Sequence, residues 1–103
     1  MRAVQGFLEE LEREGIEVVE AYLFGSYARG DYLESSDIDL VIVSPSFRGM
    51  RYIDRLEVVY RVAWRRRQTP WIEVIPLTPE ELAERVRDSY ALRDASKYWI
   101  KIK

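Results

Sequence analysis

Residues 25–43 read Gly-Ser-Tyr-Ala-Arg-Gly-Asp-Tyr-Leu-Glu-Ser-Ser-Asp-Ile-Asp-Leu-Val-Ile-Val, and this stretch decides both the fold and the site that we predict. Gly25 and Ser26 form a small-residue turn, where glycine lets a ligand approach the backbone N–H groups closely. Asp37 and Asp39 stand at alternate positions at the start of an apolar run that indicates a strand. Side chains two apart on a strand share a face, so the two carboxylates are expected to be neighbours. The stretch therefore indicates a site for a metal ion and a nucleotide.

Carboxylates are the metal ligands that this sequence offers. Mg²⁺ takes oxygen ligands, often one or two carboxylates together with phosphates and water. Glu73 is the third candidate, because it interrupts an otherwise apolar strand, and a lone carboxylate in a buried strand is costly unless paired or metal-bound. If the strand of Glu73 lies beside that of Asp39, three acids can form a two-metal site for phosphoryl displacement.

Simpler interpretations of the same residues stay open at this point. Asp37 and Asp39 could be a polar strand end that follows a Ser-Asp turn. Glu73 could be a strand-edge carboxylate paired with an arginine, and Ser26 could serve as a helix cap, a role compatible with ligand binding.

The composition of the chain excludes several kinds of function. The 103 residues predict a single domain over 1–103, and no apolar run reaches the roughly 20 residues of a membrane span. With no leader visible and no cysteine, we expect a cytoplasmic protein without membrane association. A net charge of −2 argues against direct nucleic-acid binding, and the absence of histidine leaves metal and acid–base chemistry to carboxylates. The absence of asparagine, with many charged residues, indicates a thermophilic source.

The periodicity of the chain predicts a small α/β fold. Helices are predicted over 3–14, 50–67 and 79–88, a short helix from Ser26 to Gly30, and strands over 17–24, 37–43 and 71–75, the last ending at Pro76. The buried face of the second long helix is predicted to carry Ile53, Leu56, Val59, Tyr60 and Ala63. Residues 89–97 are compatible with a helix, and residues 98–103 alternate like a strand. The apolar side chains at 98–102 are either a last core element or a surface for a partner.

The two motifs together resemble a known family. Gly25-Ser26-Tyr27-Ala28-Arg29-Gly30, followed by Ser36-Asp37-Ile38-Asp39-Leu40, is similar to the signature of the polymerase-β-like nucleotidyltransferases. The resemblance is greatest to the minimal nucleotidyltransferase (MNT) branch, which includes MntA-like antitoxins of HEPN/MNT pairs. It covers most of the chain and implies the minimal nucleotidyltransferase fold, a small mixed sheet with helices. The family's third acid is usually an aspartate, and Glu73 stands at that place here.

The resemblance also implies an activity. Gly25 and Ser26 would hold the triphosphate of ATP or another nucleoside triphosphate, and Asp37 and Asp39 would bind two Mg²⁺ ions. Glu73 would bind the catalytic metal and help to deprotonate the acceptor hydroxyl. The expected reaction is transfer of a nucleotide to a hydroxyl of a HEPN-domain partner, and the resemblance implies AMP as that nucleotide. Association into homo- or hetero-oligomers is also expected. The alternative is a weak or inactive module that neutralises its partner by occlusion.

Overall fold

The computed structural model describes residues 2–30, 36–88 and 99–103. In chain order the elements are α1 (Arg2–Arg13), β1 (Glu20–Phe24), α2 (Gly25–Arg29), β2 (Ile38–Val43), a 3₁₀ turn (Pro45–Phe47), α3 (Tyr52–Arg65), β3 (Ile72–Leu77), α4 (Pro79–Asp88) and β4 (Ile100–Lys101). This order confirms the predicted α/β alternation.

The strands form a mixed four-stranded sheet in the order β3-β2-β1-β4. β1 runs antiparallel to both β2 and β4, whereas β2 and β3 are parallel. The parallel pairing brings the N-terminal ends of β2 and β3 to the same end of the sheet. Residues that open these two strands are therefore neighbours.

Both faces of the sheet are covered. The larger core lies between the sheet and helices α1 and α3, and its largest fully buried side chains include Phe7, Leu11, Ile38, Leu40 and Ile42. On the opposite face Val41, Val43 and Leu77 pack with Leu82 of α4 and with Trp99. β2 is buried on both faces after Asp39, as a near-continuous apolar run predicts for a central strand.

Helix α4 begins with a reciprocal cap. The Thr78 hydroxyl accepts a hydrogen bond from the Glu81 N–H at 3.1 Å, and the Glu81 carboxylate accepts one from the Thr78 N–H at 2.8 Å. Two backbone donors that the helix cannot satisfy internally are thereby paired. The predicted helix start at Thr78-Pro79 is confirmed.

The predicted buried face of α3 is partly wrong. Ile53 is 61% exposed, and the buried side chains of the helix are Arg55, Val59, Val62 and Ala63. Arg55 lies inside because its guanidinium donates to the Glu81 carboxylate at 2.5 and 3.2 Å and to the Pro76 carbonyl at 3.3 Å. Helical periodicity counts apolar residues only, so it could not identify an arginine that is neutralised by a distant glutamate.

The third strand does not end at Pro76, as the sequence predicted, but continues to Leu77. β3 is an edge strand, and the N–H of Val74 points away from β2, toward the side chain of Tyr60. Pro76 lies two residues further, so its nitrogen faces the same free edge. The missing N–H removes no hydrogen bond between the strands, and the proline is tolerated.

The chain ends on the sheet. A strand forms within the predicted range, but it covers only Ile100–Lys101 and both of its side chains are exposed. Trp99 packs on Tyr22 and Phe24 with ring centroids 5.8 and 6.0 Å apart. These contacts favour the core interpretation for Trp99, and Ile102 also packs against the larger core. The predicted helix over 89–97 and the side chain of Tyr98 lie outside the described residues. None of the helices in the described part of the chain has the length and apolarity to cross a membrane.

Candidate active site

The structure brings the predicted carboxylates to one end of the sheet. Asp39 and Glu73 are Cα partners in the parallel pairing of β2 with β3, so their side chains lie on the same face. The Ile38 N–H donates to the Trp71 carbonyl at 2.8 Å and fixes this register at the point where both strands begin. Asp37 lies just before β2, two residues from Asp39. The conditional prediction that β3 lies beside β2 is confirmed.

These carboxylates differ in exposure. Asp39 is half-buried, whereas Asp37 and Glu73 are exposed. The argument that Glu73 needs a partner because its strand is buried is therefore wrong: β3 is an edge strand, and water reaches the carboxylate. What indicates that Glu73 belongs to the site is its pairing with Asp39 on the neighbouring strand.

Asp39 carries the electrostatic signature of a crowded anionic site. Burial raises the pKa of its carboxyl group above the ordinary value, and the negative charges of Asp37 and Glu73 raise it further. Arg29, at the end of α2, acts in the opposite direction. A carboxylate whose charged form is disfavoured by two like charges is stabilised when a cation joins the cluster.

Gly25 lies directly against this cluster. Its φ of +70° lies in the left-handed region, and a Cβ added there would be 2.3 Å from Oδ2 of Asp39. No side chain fits without displacing the carboxylate. The predicted small-residue turn and the predicted Asp-x-Asp strand therefore meet, with the backbone of the turn against the carboxylate. The backbone of Ser26 belongs to α2, and its side chain lies outside what the structure describes.

Tyr60 is the residue of this site that the sequence did not reveal. Its hydroxyl donates to Oε2 of Glu73 at 3.1 Å and accepts from the Val74 N–H at 3.0 Å. Burial raises the pKa of Tyr60, as does the neighbouring Glu73, so the hydroxyl keeps its proton at neutral pH. The helical spacing of apolar residues predicted that Tyr60 is a core residue. This spacing cannot indicate a contact between Tyr60 and a carboxylate on an edge strand.

The donor set suits Mg²⁺ in its chemistry, because carboxylates offer the hard oxygen atoms that this ion prefers. The close approach of the Asp39 carboxylate to Gly25 and the mutual repulsion of the acids also favour a bound cation. In the described part of the chain, however, no three ligating side chains converge on one point closely enough to hold a metal ion as they stand. Asp37 and Asp39 are the residues that would hold the ion first, and Glu73 would complete the set from β3.

Comparison with known proteins identifies the family. The profile of the nucleotidyltransferase domain matches residues 4–98. MJ1305 of Methanocaldococcus jannaschii, named as a candidate protein adenylyltransferase, is 38% identical over 64 residues, which cover 53% of this chain and 43% of that protein. The chain spans less than half the length of the curated relatives that it matches.

Solved structures agree with this assignment. The crystal structure of a candidate nucleotidyltransferase from Sulfolobus solfataricus superposes with a TM-score of 0.63 at 31% identity, over 81% of this chain and 70% of that one. A toxin–antitoxin structure with AMP-PNP has the same fold, with a TM-score of 0.59 at 20% identity over 95% of this chain and 71% of that chain. The chain belongs to the nucleotidyltransferase domain family.

Proposed function

We propose that the chain is a Mg²⁺-dependent nucleotidyltransferase that transfers AMP from ATP to a hydroxyl group of a partner protein. The observation that carries this proposal is the pairing of Asp39 with Glu73, with Asp37 beside them and the glycine turn against the Asp39 carboxylate. The family assignment supports the reaction class, and the name of MJ1305 supports a protein acceptor.

Each residue has a defined part in this reaction. Asp37 and Asp39 would hold the metal, and the backbone at Gly25 and Ser26 would face the triphosphate. Glu73 would complete the metal site and help to deprotonate the acceptor hydroxyl. Mg²⁺, when bound, neutralises the charge of the triphosphate and of the departing pyrophosphate. The acceptor oxygen then attacks the α-phosphorus in line, the bond to the bridging oxygen breaks, and pyrophosphate leaves.

The partner that we propose is a HEPN-domain protein, with this chain as the antitoxin of the pair. The fold that it shares with a toxin–antitoxin structure holding AMP-PNP supports this proposal. A stable complex of the two proteins is part of the same proposal.

Labelling with ATP that carries ³²P at the α-phosphate tests the reaction. The protein is incubated with Mg²⁺ and with the proteins that co-purify with it, beside an Asp37→Asn/Asp39→Asn control. Label on the partner that disappears in the control supports protein nucleotidyl transfer. Undiminished labelling by the double variant would show that these aspartates do not hold the metal.

A second candidate function is neutralisation of the partner by binding alone. It is favoured by the present position of Glu73, whose carboxylate is hydrogen-bonded to Tyr60 and does not converge with two other acids in the described part of the chain. Under this function, the affinity for the partner is the same with and without ATP and Mg²⁺. The Asp37→Asn/Asp39→Asn variant then protects cells against the toxic partner as well as the wild type does. Loss of protection in that variant would exclude it.

A further inference from the structure

An exposed tryptophan lies beside a surface cavity at the C-terminal end of α3. Trp64 is 74% exposed, more than any other large apolar side chain of the described residues. The cavity has a volume of about 480 Å³, within the range of roughly 300–1,000 Å³ that is typical of ligand sites. Its lining consists of Ala63, Trp64, Arg67, Gln68 and Trp71. This tryptophan cavity, mainly apolar with two polar side chains, therefore has the composition of a binding site.

The aromatic walls of the tryptophan cavity are held in place by their neighbours. Trp71 packs edge to face with Trp64, with the ring centroids 5.9 Å apart and 64° between the planes. Trp71 also stacks on Tyr60, at 5.8 Å and 13°. The Tyr60 hydroxyl in turn accepts a hydrogen bond from the Val74 N–H at 3.0 Å. Because these rings are already ordered, a ligand that binds between them loses less conformational entropy.

Arg67 holds a backbone conformation that is unusual for its residue type. Its φ of +51° lies in the left-handed region, where it is the one residue other than glycine in the described part of the chain. The Arg67 N–H donates to the Trp64 carbonyl, and the Gln68 N–H donates to the Ala63 carbonyl, both at 3.0 Å. These are the two hydrogen bonds of a Schellman motif, in which glycine usually occupies the left-handed position. An arginine there is strained, and strained residues cluster at binding sites, so the side chain at this position indicates a role beyond the turn.

The surroundings of the tryptophan cavity are positively charged. Arg61 lies three residues before Trp64 on the same helix, so these two side chains are neighbours on its surface. Arg61, Arg66 and Arg67 form no ion pair with a described residue, whereas Arg65 is paired with Glu10 and Glu14. The cavity is therefore complementary to a ligand that carries negative charge beside an apolar group.

We propose that the tryptophan cavity is a docking site for an acidic segment of the partner protein. The segment inserts an aromatic side chain between Trp64 and Trp71, and its carboxylates face Arg61 and Arg67. Aromatic residues and arginine are enriched at protein interfaces. A protein segment is favoured over single-stranded nucleic acid, because the net charge of the chain is −2 and the site is one cavity rather than a row of stacking side chains.

The position of the cavity suits recruitment of a partner to the candidate active site. Trp71 lies two residues before Glu73, so a docked segment would lie at the end of the sheet where the carboxylates are. The inference rests on the proposed function only in that the chain has a protein partner. It applies equally if that partner is neutralised by binding alone.

The test is the affinity for a fluorescently labelled peptide in which a phenylalanine is flanked by glutamates, measured by fluorescence polarisation. Phenylalanine has no hydroxyl group, so docking is measured apart from nucleotidyl transfer. Trp64→Ala should weaken binding more than tenfold, because truncation of a central tryptophan is among the largest losses at interfaces. Ile53→Ala is the matched control, since Ile53 is an apolar side chain on the same helix that is 61% exposed but lies outside the cavity. It should leave the affinity unchanged.

Arg67→Gly separates binding from folding. Glycine adopts the left-handed φ without strain, so the variant should unfold at a higher urea concentration than the wild type. It should nevertheless bind the peptide severalfold more weakly, because one of the cations that face the carboxylates is lost. Wild-type peptide affinity in this variant would overturn the role assigned to the arginine.

Control ligands test the chemistry of the segment. Peptides with lysine in place of the glutamates, or alanine in place of the phenylalanine, should bind at least tenfold more weakly than the acidic peptide. Oligothymidylate or the lysine peptide binding as tightly as the acidic peptide, no binding of the acidic peptide, or wild-type affinity in Trp64→Ala would each overturn the proposal. The Asp37→Asn/Asp39→Asn variant should bind the peptide like the wild type. Loss of peptide binding with label still transferred to the partner would therefore exclude the docking site and leave the proposed reaction in place.

Discussion

The two ends of strand β3 differ in how the charges of their side chains are balanced. At the C-terminal end, the buried Arg55 guanidinium is paired with Glu81, which also caps α4 through the Thr78 N–H. At the N-terminal end, Glu73 lies in register with Asp39, and Asp37 adds a third negative charge. The first cluster is neutralised within the fold, whereas in the second, as far as the structure describes it, Arg29 opposes the effect of the acids on Asp39 only in part.

The pKa values of Glu81 and Asp39 are shifted in opposite directions, in agreement with this difference between the two ends. The hydrogen bonds from Arg55 lower the pKa of Glu81, so the folded state favours its charged form. Burial and the neighbouring acids raise the pKa of Asp39, so the folded state disfavours its charged form. A cluster of like charges that is compensated only in part lowers stability, and such clusters are typical of functional sites. The C-terminal end therefore stabilises the fold, and under the proposed function the N-terminal end is the part that binds a ligand.

The largest effect should come from Asp39→Asn. We expect nucleotidyl transfer to fall about 10³-fold, because the charge that holds the metal beside the reacting phosphate is lost. In metal-free buffer the same change should raise the free energy of unfolding by about 0.5–1 kcal/mol, because the repulsion by Asp37 and Glu73 disappears. Initial rates of label transfer and urea unfolding measure the two effects. A variant that is both inactive and less stable would contradict the view that Asp39 is retained for a ligand.

Arg55→Met should have the next largest effect, on stability. It removes the partner of Glu81 and leaves the Pro76 carbonyl without its buried donor. We expect a loss of about 2–3 kcal/mol, less than for a fully buried pair because solvent screens a carboxylate as exposed as Glu81. Arg51→Met, directly before the same helix, is the control: its ion pair with Asp54 is exposed, so the variant should leave the urea midpoint unchanged. Equal midpoint shifts in the two variants would show that the buried position of Arg55 does not matter.

Gly25→Ala should be next. The left-handed φ and the clash with the Asp39 carboxylate together should destabilise the protein by about 1–2 kcal/mol and weaken Mn²⁺ binding, measured from the electron paramagnetic resonance signal of the free ion. Gly49→Ala separates the two causes, because Gly49 has a φ of +79° but no heavy atom within 4 Å of an added Cβ. It should lower stability without any effect on the metal. If both variants bind Mn²⁺ like the wild type, the turn does not support the site.

The smallest expected effect is a change in the acid dependence of stability. Because the pKa of Glu81 is lowered in the folded state, its contribution is present above the ordinary value of 4.5 and is lost as the pH falls through the lowered value. Wild type should therefore be more stable than Glu81→Gln at pH 7, and the difference should shrink as the pH approaches 3. Thermal unfolding across this range measures it. A difference that stays constant with pH would mean that the charge of Glu81 does not contribute.

Local patterns in the sequence were sufficient for the elements and for the motifs. The Thr78-Pro79-Glu80-Glu81 helix start and the apolar β2 run are encoded within a few residues, and both are confirmed. The pairing of Asp39 with Glu73 could be stated only as a condition, because strand order depends on contacts between distant segments. Its confirmation came from the parallel register.

The features that sequence analysis missed depend on tertiary contacts. Arg55 is buried by a glutamate 26 residues away, and Tyr60 reaches a carboxylate 13 residues away across a helix–strand connection. Pro76 is tolerated because its strand is at the edge, and the same position explains why Glu73 is exposed. Periodicity within one element contains no information on any of these contacts.

A crystal structure with Mg²⁺ and a non-hydrolysable ATP analogue tests the central claim most directly. The account predicts a metal ion about 2.1 Å from carboxylate oxygens of Asp37 and Asp39, with Glu73 turned toward the same ion and the triphosphate against the turn at Gly25. Triphosphate bound elsewhere, or a metal held by phosphates and water alone with these three carboxylates unengaged, would contradict it.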